Sequence, residues 1–132
     1  MVLRIETPLS EELEAVVHRT IGCCIEVHKA LGPGLPERAY KRAICLELSA
    51  EGISFEAEKR YSVFYRDRLM CEKRVDLVVE AQLVLEIKSV EQLAPVHRAQ
   101  LRSYLRISKL PVGMLMNFNV AVLSDGMKRM VL

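Results

Sequence analysis

Tryptophan is absent from this chain of 132 residues, and aromatic side chains make up only 5% of it. With so few rings no extended aromatic stacking series is visible, and no zinc-finger or recognition-helix pattern is present, so sequence-specific reading of DNA is not expected. An excess of charge is missing too. Nineteen Lys and Arg against seventeen Asp and Glu leave a net +2, too little to announce a nucleic-acid partner unless the charges are placed locally. Long apolar runs are also lacking. The most apolar late stretch, 110–123, is broken by Pro111, Gly113, Asn117 and Asn119, and it falls short of the roughly 18 residues a membrane span requires. The opening "MVLRIETPLSEELEAV" has acids where a signal peptide would have a basic start and an apolar run, so neither export nor a membrane partner is expected. Cysteine is sparse. Cys23, Cys24, Cys45 and Cys71 show no CxxC and no Cys/His zinc spacing, which points to reduced, mostly buried thiols in a cytoplasmic protein. His18, His28 and His97 form no ligand pattern either.

What is present suits a compact core: 51% hydrophobic and 27% charged residues, without repeats, linkers or low-complexity segments. Residues 1–132 therefore read as one domain. Ser10 before Glu11 and Glu12 reads as a helix start, and Leu13, Val16, Val17, Ile21, Cys24, Ile25, His28 and Leu31 recur at threes and fours as one buried stripe, ended by "GPG" at 32–34. A second helix opens at Pro36 and stops at Gly52. Extended segments follow at 55–65 and 69–79 around a turn at "RDR", then at 83–88. A third helix over 95–108, a strand over 113–117, a turn at 124–126 and a last short strand complete the order α-α-β-β-β-α-β-β. This is an α/β fold with a mixed central sheet flanked by helices.

Within "RVDLVVEAQLVLEIKS", residues 74–89, charges sit inside runs that otherwise read as buried strand, and burying unpaired charge is costly. Side chains alternate along strands, so a hairpin turning about Ala81 sets Asp76 opposite Glu86 and Arg74 opposite Lys88. Opposed carboxylates repel at Cβ separations of about 4.5–5.5 Å. They can share a proton or a hard divalent cation that prefers oxygen ligands. Lys88 lies on the same face as Glu86, within reach of a water or phosphate held there. The alternative is a structural ion pair of Lys88 with Glu86 or Asp76.

"GLPERAY", residues 34–40, carries the G-x-x-E-x-x-Y pattern, and Asp76 with Glu86-Ile87-Lys88 forms D…E-x-K. On these motifs, and on "PVHRAQLRSYL" and "VGMLMNF" further on, the chain resembles the GxxExxY protein family of the PD-(D/E)XK nuclease superfamily over about residues 10–132. Val75 stands where the superfamily name has proline. The resemblance implies a restriction-endonuclease-like core and hydrolysis of nucleic-acid phosphodiesters, DNA above all. It implies that Asp76, Glu86, the Ile87 carbonyl and Glu37 bind Mg²⁺ or Mn²⁺, and that Lys88 orients or deprotonates the attacking water. Gln100 and Tyr104 are similar to the Q-x-x-x-Y element of the exonuclease-type branch and would fix the lysine or a substrate phosphate. Taken alone, Glu37 suits the first turn of any helix, and Tyr40 reads as a packing residue that supports it.

Arg98, Arg102 and Arg106 form a stripe on the third helix, but at about 100° per residue it points away from Gln100 and Tyr104, as a solvated face or subunit contact would. Lys73, Arg74 and Lys41 are better placed for phosphate contact. One small domain presents one site, so cutting both strands of a duplex would need a homo-oligomer. The alternative function is a catalytically inactive member of the fold that serves as a binding or self-assembling module.

Overall fold

The computed structural model describes residues 9–132; residues 1–8, and with them the start of the N-terminal stretch read above, lie outside the described residues. Helix α1 runs Glu11–Leu31, with the Ser10 hydroxyl accepting from the Leu13 amide and Glu11, Glu12 and Glu14 in its first turn. Its buried residues are Leu13, Val17, Thr20, Cys23, Cys24, Val27 and His28. The stripe is thus rotated from the one expected, and Ile25 and Leu31 are exposed. Thr20 can join it because its hydroxyl donates to the Val16 carbonyl, which leaves no polar atom stranded. Helix α2, Glu37–Ala50, starts after Pro36 and buries Tyr40, Ile44 and Leu48.

Strands β1 (Phe55–Tyr65), β2 (Arg68–Val79) and β3 (Leu83–Lys88) come next, then α3 (Pro95–Ser108), β4 (Val112–Asn117), a short 3₁₀ turn over Leu123–Gly126 and β5 (Met127–Val131). The expected element order holds, and the turn expected at 124–126 closes as that 3₁₀ segment. The five strands lie in the order β1-β2-β3-β4-β5, antiparallel except for the β3–β4 pair that α3 connects. This is a mixed sheet flanked by three helices, consistent with a restriction-endonuclease-like fold.

Alternation divides the core between the two faces. Leu77, Val79, Leu83, Leu85, Ile87, Met114 and Met116 meet α1 and α2. Val75, Val78, Val84 and Leu115 meet Leu101, Tyr104 and Leu105 of α3. Gly113 allows that close contact, since a Cβ there would stand 2.8 Å from Leu101 Cδ1. Among the described residues no helix is long and apolar enough to cross a membrane. All four cysteines are free; Cys23 and Cys24 are buried, Cys45 half-buried and Cys71 exposed.

Candidate active site where two strands part

The β2–β3 ladder has the register the turn about Ala81 predicts: Val79 pairs with Leu83, Val78 with Val84 and Leu77 with Leu85. It stops there, one step short of the two acids. Beyond that point side chains replace ladder bonds. The Asp76 amide donates to Glu86 Oε1 at 2.8 Å, and the Ile87 amide donates to Asp76 Oδ2 at 2.8 Å. Each carboxylate thus satisfies a backbone group that the parting strands would leave open. The expected facing of Arg74 and Lys88 does not occur. Arg74 registers with Arg60 of β1 instead, because β3 no longer accompanies β2 past Leu77.

On the other side, the β1–β2 ladder skips Glu58 and Asp76, and Glu58 holds a left-handed φ of 57°. Val75 packs toward α3 whereas Leu77 packs toward α1 and α2, so β2 reverses its facing at Asp76. The reversal brings in a residue from α2. Lys41 Nζ donates to Asp76 Oδ1 at 2.9 Å and to Glu58 Oε1 at 3.0 Å. Burial works against the ammonium, but the hydrogen bonds to Asp76 and Glu58 outweigh it and raise the Lys41 pKa. Spacing in the sequence suggests only a phosphate contact for Lys41 and gives no sign of Glu58.

Glu86 is buried at 4% exposure. Burial, reinforced by the neighbouring Asp76 carboxylate, pushes its pKa from the ordinary 4.5 up to about 8. Lys88, next along that face, donates to Gln100 Oε1 at 3.1 Å. Tyr104 follows one helical turn on, where burial holds its phenol above the usual range and the Gln100 side chain partly offsets that rise.

Glu37 arrives differently. Tyr40, stacked on Phe118 at 4.6 Å, donates its hydroxyl proton to the Gly32 carbonyl and accepts from the Leu35 amide, which fastens the turn leading into α2. Glu37 Oε2 there accepts from the Ser89 amide at 3.3 Å, directly beyond Lys88. Asn117, which the sequence marks only as a break in an apolar stretch, is buried and clasps Val90 through both its side-chain oxygen and nitrogen. His97 accepts from the Ala94 amide at the start of α3.

Asp76, Glu86, Ile87, Lys88, Gln100, Tyr104 and Lys41 are therefore drawn together. Glu37 flanks them through Ser89, while Arg74 lies outward along β2, where its guanidinium is 3.5 Å from Glu58. Lys73 registers with Tyr61 on the neighbouring row. Among the described residues no three His, Cys, Asp or Glu side chains are already gathered as a metal cluster. The donor chemistry nonetheless fits a hard divalent ion: two carboxylates meet where a cation, the Lys41 ammonium, is already drawn to Asp76.

The buried carboxyl predicts a pH effect on stability. Folded Glu86 keeps its proton up to about pH 8 while the unfolded chain releases it near 4.5, so the folded state binds the extra proton in that window and stability falls as pH rises through it. Glu86→Gln removes the penalty and can still accept from the Asp76 amide. Thermal melts without metal should show no advantage for Gln at pH 4, and one growing to on the order of 5 °C at pH 8. A difference independent of pH would mean that Glu86 ionises normally.

The family model of the PD-(D/E)XK nuclease superfamily matches residues 14–130. No curated protein and no solved structure matches the chain.

Proposed function

Because the chain belongs to the PD-(D/E)XK nuclease superfamily, we propose that it is a metal-dependent nuclease, of the GxxExxY group, that hydrolyses phosphodiester bonds in DNA. One observation carries the reading: Asp76 and Glu86 converge where β2 and β3 part, with Lys88 alongside. Asp76 and Glu86 would hold Mg²⁺ or Mn²⁺, with the Ile87 carbonyl and Glu37, directly or through water, as further ligands. The ion supplies charge to offset the phosphate and to acidify water. Lys88, held by Gln100, orients the attacking water and offsets charge that develops on the phosphoryl oxygens. Tyr104 braces Gln100. Lys73 and Arg74 contact substrate phosphates outward from Asp76.

Incubation of the protein with linear, nicked and single-stranded DNA in Mg²⁺, Mn²⁺ or EDTA tests this. Cleavage should require the metal and fall by about 10²-fold or more in Lys88→Ala, with Mn²⁺ uptake retained. Metal-dependent products that persist in Lys88→Ala would count against the assigned role of the lysine.

A second reading, an inactive member that binds or self-assembles, is favoured by the ion pair of Lys41 with Asp76, which neutralises the aspartate without any metal. Absence of products in every metal, together with a large assembly by light scattering, would select it.

A further inference from the structure

Beyond Leu77–Leu85 no further strand accompanies β2, and the β1–β2 hairpin continues alone as a ribbon from Arg74 paired to Arg60 out to Arg68 paired to Tyr65, anchored at its base by Tyr61, which packs against the α3 side of the core. Arg68 lies eight residue steps along β2 from Asp76, about 26 Å at the usual strand rise. This arm concentrates the chain's positive charge. Residues 59–74 hold six Lys and Arg against two acids, a net +4 in a chain whose whole balance is +2, so the remainder is net negative.

Its tip is apolar and open. Phe64 is 62% and Tyr65 63% exposed, and the Arg66 guanidinium lies over the Tyr65 ring at 5.7 Å. The turn residues Arg66 and Asp67 both take left-handed φ, which holds the two rings at the end of a tight hairpin. Nearer the site, Arg60, Glu72, Lys73 and Arg74 line a concavity of about 310 Å³. The guanidiniums of Arg60 and Arg74 stay mostly exposed, with carboxylates no closer than 3.6 and 3.5 Å, and pairs of that kind are readily exchanged for a phosphate.

We propose that this arm binds single-stranded nucleic acid, its cations following the phosphates away from the Asp76 site and its two tip rings stacking on unpaired bases. The inference rests on the nuclease reading in taking nucleic acid as the partner, and deepens it by naming the strand state. Rings at a tip serve unstacked bases, which a closed duplex does not offer. A second copy of the chain fits less well, since pairing two arms would bring together two surfaces of net +4.

Fluorescence anisotropy in EDTA tests the arm, with labelled oligothymidylate, labelled oligouridylate and a blunt DNA duplex as probes. One or both single strands should bind more tightly than the duplex, and the stronger of the two identifies DNA or RNA as the source. The double variant Phe64→Ser/Tyr65→Ser should lose about tenfold in affinity, and Phe64→Tyr alone should not. Arg66→Gln/Arg68→Gln should flatten the slope of log affinity against log salt by about 1.4.

Unchanged single-strand affinity in the serine double variant would overturn the proposal, and so would a loss of self-association alone in sedimentation, which would make the tip a contact between copies. Mn²⁺ uptake separates the two readings. Metal-dependent cleavage without single-strand binding removes the arm and keeps the nuclease, whereas strand binding sensitive to the tip variants without Mn²⁺ uptake keeps the arm and removes the metal site.

Discussion

Asp76→Asn should abolish measurable Mn²⁺ uptake and lower metal-dependent cleavage by about 10²- to 10³-fold. The substitution keeps the shape of the side chain, and its carbonyl oxygen can still accept from the Ile87 amide, so the parting of β2 and β3 should survive. What changes is charge. The amide nitrogen turns a donor toward the Lys41 ammonium, which keeps only Glu58, and the site loses the carboxylate that is not buried outright. The folded state should weaken by about 1–2 kcal/mol, because a charge-assisted hydrogen bond is lost from a pair whose side chains remain 18% and 19% exposed. Calorimetric titration with Mn²⁺ and a thermal melt separate the two effects. Normal uptake by a folded Asp76→Asn protein would show that the ion is held elsewhere.

Lys41→Met should act in two opposite directions. Without metal, Asp76 and Glu58 lose the ammonium that bonds both, at 2.9 and 3.0 Å, and Glu86 loses a nearby positive charge. Removing one member of a buried pair costs several kcal/mol, and partial exposure of this one brings the expected loss to about 1–3 kcal/mol. With metal the sign reverses. An incoming cation no longer has to displace an ammonium from Asp76, so Mn²⁺ affinity should rise about tenfold, by the same Coulomb competition. Saturating Mn²⁺ should then raise the melting temperature of Lys41→Met more than that of the unaltered chain. Equal Mn²⁺ affinities would mean that Lys41 and the metal do not compete.

The features legible in the sequence were those set by local pattern. The threes and fours of α1, the apolar runs of β3 and β4 and the turn about Ala81 lead to the element order and to the β2–β3 register. Alternation alone brings Asp76 and Glu86 to the same neighbourhood. The site's actual form depends on contacts that no local pattern encodes. Lys41 and Asp76 are 35 residues apart, and nothing in "YKRAI" distinguishes an ammonium turned inward from one in solvent. The reversal of β2 at Asp76 requires Glu58 to take a left-handed conformation, which a glutamate in an extended run does not announce. The end of the ladder at Leu77–Leu85 was hidden for a related reason: an aspartate opposed to a glutamate looks like a ladder pair until both turn onto backbone amides. The role of Gln100 beside Lys88 was reached through the family resemblance, since spacing alone marks only a polar residue on a helix.

Crystals soaked in Mn²⁺ and measured at the manganese absorption edge test the central claim most directly. An anomalous peak is expected between the Asp76 and Glu86 carboxylates, within bonding distance of an oxygen of each, with the Lys41 ammonium moved off Asp76. A site without a peak, with Lys41 still bonded to Asp76 at saturating metal, would contradict it.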